Sequence, residues 1–306
     1  MKVGTITCRQ ARAADMLGCA RVFVHSAKDL ARRMGTVPSR QRPKDIATAL
    51  AHLQRTDPRG FAVATRGGRV VAFAATILRG NIHFLSMFWT LPGLQSKGVG
   101  RRVLTRAFEA PKPKPSAVRC VYASLDTRAQ VLYLKFGMRP RGMLYLVKGE
   151  PKPSPRPKLA VDLVPVGKPG KVTPRMLAIA ARFDRKFRGS RRDPDIRFVM
   201  GLPGAQFFLV RANGRTMGYA IVNKKGRVGP AGVTDPRLSA GLAWALKEAA
   251  RAMEAKEIFV VVPGVNAGAL DAFFDAGLKT EFFGAWMSAK PVGFLEGYLL
   301  AGGMLL

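Results

Sequence analysis

Between residues 16 and 34 the apolar side chains recur at helical spacing (Leu17, Ala20, Val24, Ala27, Leu30 and Ala31), which predicts an amphipathic helix. A second helix is expected over residues 45–54. The period then shortens. Residues 61–65 and 70–78 are β-rich runs flanking Arg66-Gly67-Gly68-Arg69, a hairpin signal, and residues 82–90 follow the Gly80-Asn81 turn as a third strand. A helix over 101–109, a strand over 118–125, a helix over about 128–136 and a strand over 143–147 complete the first series.

The second half repeats this order. Residues 173–187 read as a helix with Thr173 as N-cap and Pro174 in its first turn. Strands at 207–210 and 216–222 flank Asn213-Gly214. A helix over 238–253, a strand over 258–262 and a helix around 270–274 ended by Gly277 follow. Two series of the same kind, about 140 residues apart, imply internal duplication. Between them, residues 150–170 hold Glu-Pro-Lys-Pro-Ser-Pro-Arg-Pro-Lys. Such alternating prolines favour extended geometry and disfavour helix and central strand. The expected organisation is therefore a domain at 1–149, a linker at 150–170 and a second domain at 171–306.

Composition narrows the class. The chain has 306 residues, 48% of them hydrophobic, which excludes a disordered chain and suits two packed domains. Cys8, Cys19 and Cys120 are too few and too scattered for a disulfide framework or a zinc site, so no metal is expected and a reducing cytoplasm is the expected location. Neither a secretory leader nor a membrane-spanning run is expected. The net charge is +32, with 27 basic and 7 acidic residues in 1–150 against 24 and 12 in 151–306. Such a field attracts anions generally. Nucleic acid is weighed as a partner but not favoured, because the basic residues form no long run and are not interleaved with aromatics.

The chemistry concentrates in Leu91-Pro92-Gly93-Leu94-Gln95-Ser96-Lys97-Gly98-Val99-Gly100-Arg101-Arg102, between the third strand and the following helix. Gly98 and Gly100 permit a close backbone approach that aims successive N–H groups at a phosphate. The helix start contributes its positive end, and Lys97, Arg101 and Arg102 add full charges. Strand, loop and helix together form a candidate diphosphate cradle.

Gln95-Ser96-Lys97-Gly98-Val99-Gly100 resembles the Q/R-x-x-G-x-G/A loop of the GNAT-type N-acetyltransferases, and it follows Trp89-Thr90-Leu91-Pro92, where that family has a strand ending in V-x-P. Ala129-Gln130-Val131-Leu132-Tyr133-Leu134-Lys135-Phe136-Gly137-Met138 is similar to the family's A-x-x-L-Y-x-x-x-G-F helix, with methionine at the last position. The resemblance covers nearly all of residues 5–149. It implies an α+β fold of two GNAT-like domains, each a mostly antiparallel sheet flanked by helices. It also implies transfer of an acetyl group from acetyl-CoA, the co-substrate, to an unidentified primary amine. By the same resemblance the diphosphate lies on Gln95, Ser96, Lys97, Gly98, Val99, Gly100, Arg101 and Arg102, and the pantetheine arm runs along Phe88, Trp89 and Thr90. Tyr133 becomes the candidate acid for the departing thiolate. The base is open. Residues 58–108 hold no Asp or Glu, so the carboxylate that many members place before the loop is missing. His83 on that strand is the candidate; Asp126 after the next strand could order water or position the substrate, and His25 and Asp29 could face the acceptor.

The second series keeps the spacing but not the chemistry. Asn266, Ala269, Phe273 and Gly277 repeat the spacing of Asp126, Ala129, Tyr133 and Gly137, with the phenol replaced by a ring that carries no proton. Aligned on Pro92 and Pro236, Leu242 and Trp244 stand opposite Gly98 and Gly100. A degenerate second domain without a coenzyme site is expected.

Overall fold

A computed structural model describes residues 5–37 and 41–306. In chain order the strands and α-helices are β1 (Thr7–Gln10), α1 (Met16–Arg33), α2 (Pro43–Thr56), β2 (Phe61–Arg66), β3 (Arg69–Arg79), β4 (Ile82–Thr90), α3 (Val99–Glu109), β5 (Val118–Ala123), α4 (Thr127–Lys135) and β6 (Arg139–Gly149). They continue as β7 (Asp162–Val166), α5 (Pro174–Phe187), α6 (Asp193–Met200), β8 (Gln206–Ala212), β9 (Arg215–Val222), β10 (Val228–Val233), α7 (Ser239–Ala252), β11 (Ile258–Pro263), α8 (Ala267–Asp275), β12 (Lys279–Ser288) and β13 (Tyr298–Leu299). The two series β1-α1-α2-β2-β3-β4-α3-β5-α4-β6 and β7-α5-α6-β8-β9-β10-α7-β11-α8-β12 match element for element. From α3 onward the offset is constant: Val99 and Ser239, Val118 and Ile258, Thr127 and Ala267, and Arg139 and Lys279 open corresponding elements.

The chain forms two compact units, one running to Val121 and taking in Leu125–Met138, the other made of Tyr122–Ser124 and Arg139–Leu306. In the first, β1, β2, β3 and β4 are antiparallel neighbours and β5 joins β4 in parallel. Cys19 and Ala20 of α1, Leu50 and Leu53 of α2, Phe61 and Phe73 of the sheet, and Val103, Leu104 and Phe108 of α3 are all essentially closed to solvent. Burial of such side chains contributes about 25 cal/mol per Å² of apolar surface.

In the second unit β7, β8, β9 and β10 form an antiparallel sheet, and β6 pairs antiparallel with both β12 and β11. The β6–β12 ladder is reciprocal: Arg139 faces Ser288, while Lys279, the counterpart of Arg139, faces Lys148. Val210, Val222, Leu242, Leu246, Val260, Phe273 and Leu299 share its core.

Four differences from the sequence pattern have identifiable causes. β1 is a polar edge strand, Thr-Cys-Arg-Gln, with no apolar alternation to betray it. β7 lies inside the stretch expected to be linker; it is the outer strand of its sheet, where Pro165 costs no ladder bond. β10 reads Val-Gly-Pro-Ala-Gly-Val, and its register with β9 breaks between Val228 and Ala231, which takes Gly229 and Pro230 out of the ladder. Strand β12 and helix α6 carry no clean period.

Candidate active site

β4 and β5 begin side by side and then part. Their parallel register runs only from Ile82 opposite Val118 to Leu85 opposite Val121. On its other edge β4 loses one residue from the ladder with β3, since Ala75 faces Met87 and Thr76 faces Leu85, leaving Ser86 as a bulge. A bulge bends its strand and increases the local twist. Met87–Thr90 therefore continues toward α3 beyond the end of the β5 register.

The loop that leaves β4 is held in an uncommon backbone. Ser96 has φ 60°, and Gly93 and Gly98 have φ 79° and 78°. Gly98 is the N-cap of α3 and nothing would obstruct a ligand over it, since a Cβ there meets no atom within 4 Å. Gly100 is different. A Cβ there would stand 2.9 Å from Phe88 Cζ and 3.3 Å from Thr90 Oγ1, so glycine lets the first turn of α3 rest on β4. The carbonyl of Thr90 accepts from Ser26 Oγ at 3.1 Å and from Gln95 Nε2 at 3.2 Å. The Thr90 hydroxyl, by contrast, is buried with no hydrogen-bond partner among the described residues. An orphaned buried hydroxyl costs about 1–3 kcal/mol. Here it lies beneath the free N–H groups of a helix start, beside exposed Lys97, Arg101 and Arg102. These residues fit a diphosphate.

Phe88, Thr90 and Gly100 converge. Several side chains of the expected set have structural contacts of their own. Gln95 braces the loop through Thr90, Val99 is buried under α3, and Trp89 points to the opposite face, edge-on to Phe23 at 5.0 Å between ring centroids. Arg102 also donates to the Ile6 carbonyl at 3.4 Å. Ser26 and the Ser86 bulge had no signature in the sequence.

Tyr133 sits on α4, 5% exposed, with its ring 6.2 Å from that of Phe88. Burial, and after it the charge of Asp126, pushes its phenol well above the usual range, so it is protonated throughout the neutral region. Asp126 is the N-cap of α4 and accepts from the Arg128 N–H at 3.1 Å. Its carboxylate is paired with Arg33 at 3.0 Å and Arg128 at 2.8 Å. Burial opposes the charge, but the hydrogen bonds from Arg128 and Arg33 prevail and hold its pKa down to about 2. Asp126 is a fixed anion that orders the start of α4 and the end of α1, and it takes no proton near neutral pH. Asp29 is tied to Arg33 at 3.1 Å, and His25 is exposed on α1.

His83, weighed as a base, is a core residue. Its side chain is closed to solvent on the α3 side of the sheet, with Nε2 3.0 Å from Thr76 Oγ1 and its ring edge-on to Phe108 at 5.0 Å. Burial, then the nearby Arg119 charge, lowers its pKa to about 4. Strand alternation put it on the inner face, away from β4's free end.

The second series closes the equivalent places with its own chain. Eight residues link β4 to α3, but only Thr234–Leu238 link β10 to α7. The constant offset sets Leu238 and Ala240, not Leu242 and Trp244, opposite Gly98 and Gly100. Strand β13 fills the gap between β10 and β11: Ala231 and Gly232 pair with Leu299 and Tyr298, and Leu300 bridges to Val261. Along α7, Trp244 Nε1 donates to the Ser154 carbonyl at 3.0 Å and Lys247 Nζ to Ser154 Oγ at 2.7 Å. The proline-rich segment is thus a strap on this helix.

The sequence model of the acetyltransferase (GNAT) family matches residues 24–138. Among curated protein sequences none matches this chain. Among solved structures, a Pyrococcus horikoshii protein assigned as an acetyltransferase is similar over 98% of this chain and 95% of its own, at 18% identity and TM-score 0.74. A GCN5-related N-acetyltransferase from Sphaerobacter thermophilus covers 94% and 97% at 15% identity and TM-score 0.63. A tandem GNAT protein from the clavulanic acid biosynthesis pathway covers 94% and 99% at 16% identity and TM-score 0.57. At these identities the structures speak for the fold, and that fold is the tandem one. The match of residues 24–138 to the acetyltransferase (GNAT) family model, the repeated order of elements and the likeness to these structures agree: the chain has the fold of the tandem GNAT proteins, with the family's sequence pattern in its first series.

Proposed function

We propose that this protein transfers an acyl group, acetyl being the expected one, from acyl-CoA to a primary amine, with residues 1–149 supplying the chemistry. The observation that carries this reading is the unpartnered Thr90 hydroxyl beneath the Gly98–Gly100 cradle. Acyl-CoA would supply an activated thioester carbonyl for the amine to attack. The loop N–H groups, with Lys97, Arg101 and Arg102, hold the diphosphate. Met87–Thr90, beyond the end of the β4–β5 register, offers main-chain groups to the amides of the pantetheine arm. Tyr133, kept protonated by burial, gives its proton to the departing sulfur. Neither His83 nor Asp126 is suited to accept the amine's proton, so water carries it away.

Calorimetric titration of acetyl-CoA, followed by an amine screen for thioester loss, tests the proposal. One micromolar site per chain and turnover with at least one amine are expected; no binding at low salt overturns it. A second reading, an acyl-CoA sensor without turnover, is favoured by the burial of His83, the candidate base, in the core. It predicts binding with no thioester loss in any amine.

A further inference from the structure

The cationic excess of the first unit is sorted by position. Its aspartates are spent on arginines: Asp15 on Arg9, Asp29 on Arg33, Asp45 on Arg42, Asp57 on Arg79 and Asp126 on Arg128. Along α3 and its flanks the pattern reverses. Lys97, Arg101, Arg102, Arg106, Lys112 and Lys114 are all exposed, and among the described residues none of them forms an ion pair. Glu109 is the single acid between 97 and 114.

The helix period gathers three of these charges on one side. Val99, Val103, Leu104, Ala107 and Phe108 face the sheet, which leaves Arg101, Arg102, Thr105, Arg106 and Glu109 on the outer face. Together with Cys8 of β1 they line an open groove of about 720 Å³. The groove follows α3 away from the Gly98–Gly100 cradle toward Ala110, so most of it is not needed for a diphosphate. A helix of 11 residues is about 16 Å long, roughly half a turn of a nucleic-acid duplex. Among the described residues no aromatic side chain lines the groove, which offers bases no stacking platform and matches phosphates.

We propose that the outer face of α3, extended by Lys112 and Lys114, is a docking surface for the phosphodiester backbone of nucleic acid, read without regard to sequence. In the linear sequence these residues are interrupted by apolar ones; the helix period turns those inward and leaves the cations on one side.

The test uses the full chain and a fluorescently labelled 20-base-pair duplex in a polarisation titration from 50 to 200 mM salt. Binding is expected, with log K falling against log salt at a slope of about −4, as for four to five phosphates. The triple variant Arg106→Glu, Lys112→Glu, Lys114→Glu leaves Lys97, Arg101 and Arg102 in place. It should lose at least tenfold affinity at 50 mM salt and flatten the slope by ~2–3. Its acetyl-CoA affinity should match the parent's, which reports a folded domain and separates this proposal from the enzymatic one. No binding of the duplex, equal binding by the triple variant, or displacement of the duplex by ATP or by poly-glutamate at equal charge would each overturn it.

Discussion

The main-chain N–H of Leu300 donates to the carbonyl of Val261 at 3.0 Å, closing β13 against β11 while Leu299 and Tyr298 pair with β10. The strand occupies in the second unit the gap that β4 and β5 leave open in the first. The two series therefore differ in what fills their wedge, and coenzyme binding should be limited to one site per chain. Gly100→Val should abolish acetyl-CoA binding, because its Cβ would press on Phe88 and its branches on the Thr90 hydroxyl. Trp244→Ala, which only loosens the strap at Ser154, should leave affinity unchanged. Two sites per chain in calorimetry would refute the assignment of the second copy.

Tyr133→Phe keeps the ring beside Phe88 and removes only the proton donor. Turnover should fall by ~10²–10⁴ with the KM for acetyl-CoA within a few-fold of the parent. An unchanged kcat would make Tyr133 a packing residue. Because Arg128 and Arg33 hold Asp126 near pKa 2, the rate–pH profile should show no inflection between pH 4 and 6 that Asp126→Asn removes.

His83 makes stability depend on acidity. Unfolded, it binds a proton below about pH 6.5; folded, it resists until about 4. Between these values protons favour the unfolded chain, so its contribution is complete above 6.5, declines as the pH falls, and levels off below 4. The loss is about 3 kcal/mol. Urea denaturation of the parent and of His83→Gln from pH 7 to 4 should show the parent losing more. Parallel curves would mean that the ring is not buried as described.

Ion pairs in this chain should differ sharply in worth. Arg192 and Asp184 are closed to solvent, 3.0 Å apart, with Tyr219 Oη donating to Asp184 at 2.7 Å. Asp184→Ala strands the Arg192 guanidinium and should cost about 3–5 kcal/mol. Asp162→Ala breaks the exposed pair with Arg156 and should leave the denaturation midpoint nearly unmoved. Chemical denaturation of both variants checks the contrast.

Helices with a broad apolar stripe, such as α1 and α5, and strands bounded by Gly-Gly or Asn-Gly were legible from residue order, since their stabilising periods are local. The cradle was legible for the same reason: Gly98, Gly100 and the cationic residues around them are contiguous. His83 misled because alternation along β4 tells that neighbouring residues face opposite ways, not which face is covered by α3. The pairing of Asp126 was not legible because Arg33, which helps to neutralise it, lies 93 residues earlier.

Residue order by itself determined the duplicated series of elements, the glycine loop at the start of α3 and the loss of the phenol at Phe273. Those signals rest on backbone geometry and on spacing within one or two turns of chain. Tertiary structure alone decided that β13 closes the second wedge, that the Thr90 hydroxyl is left without a partner under Gly100, and that Arg101, Arg102 and Arg106 share a groove with Cys8. Each of these depends on which distant segments exclude water together, and burial of that kind is set by packing across the fold rather than by the order of neighbours along the chain.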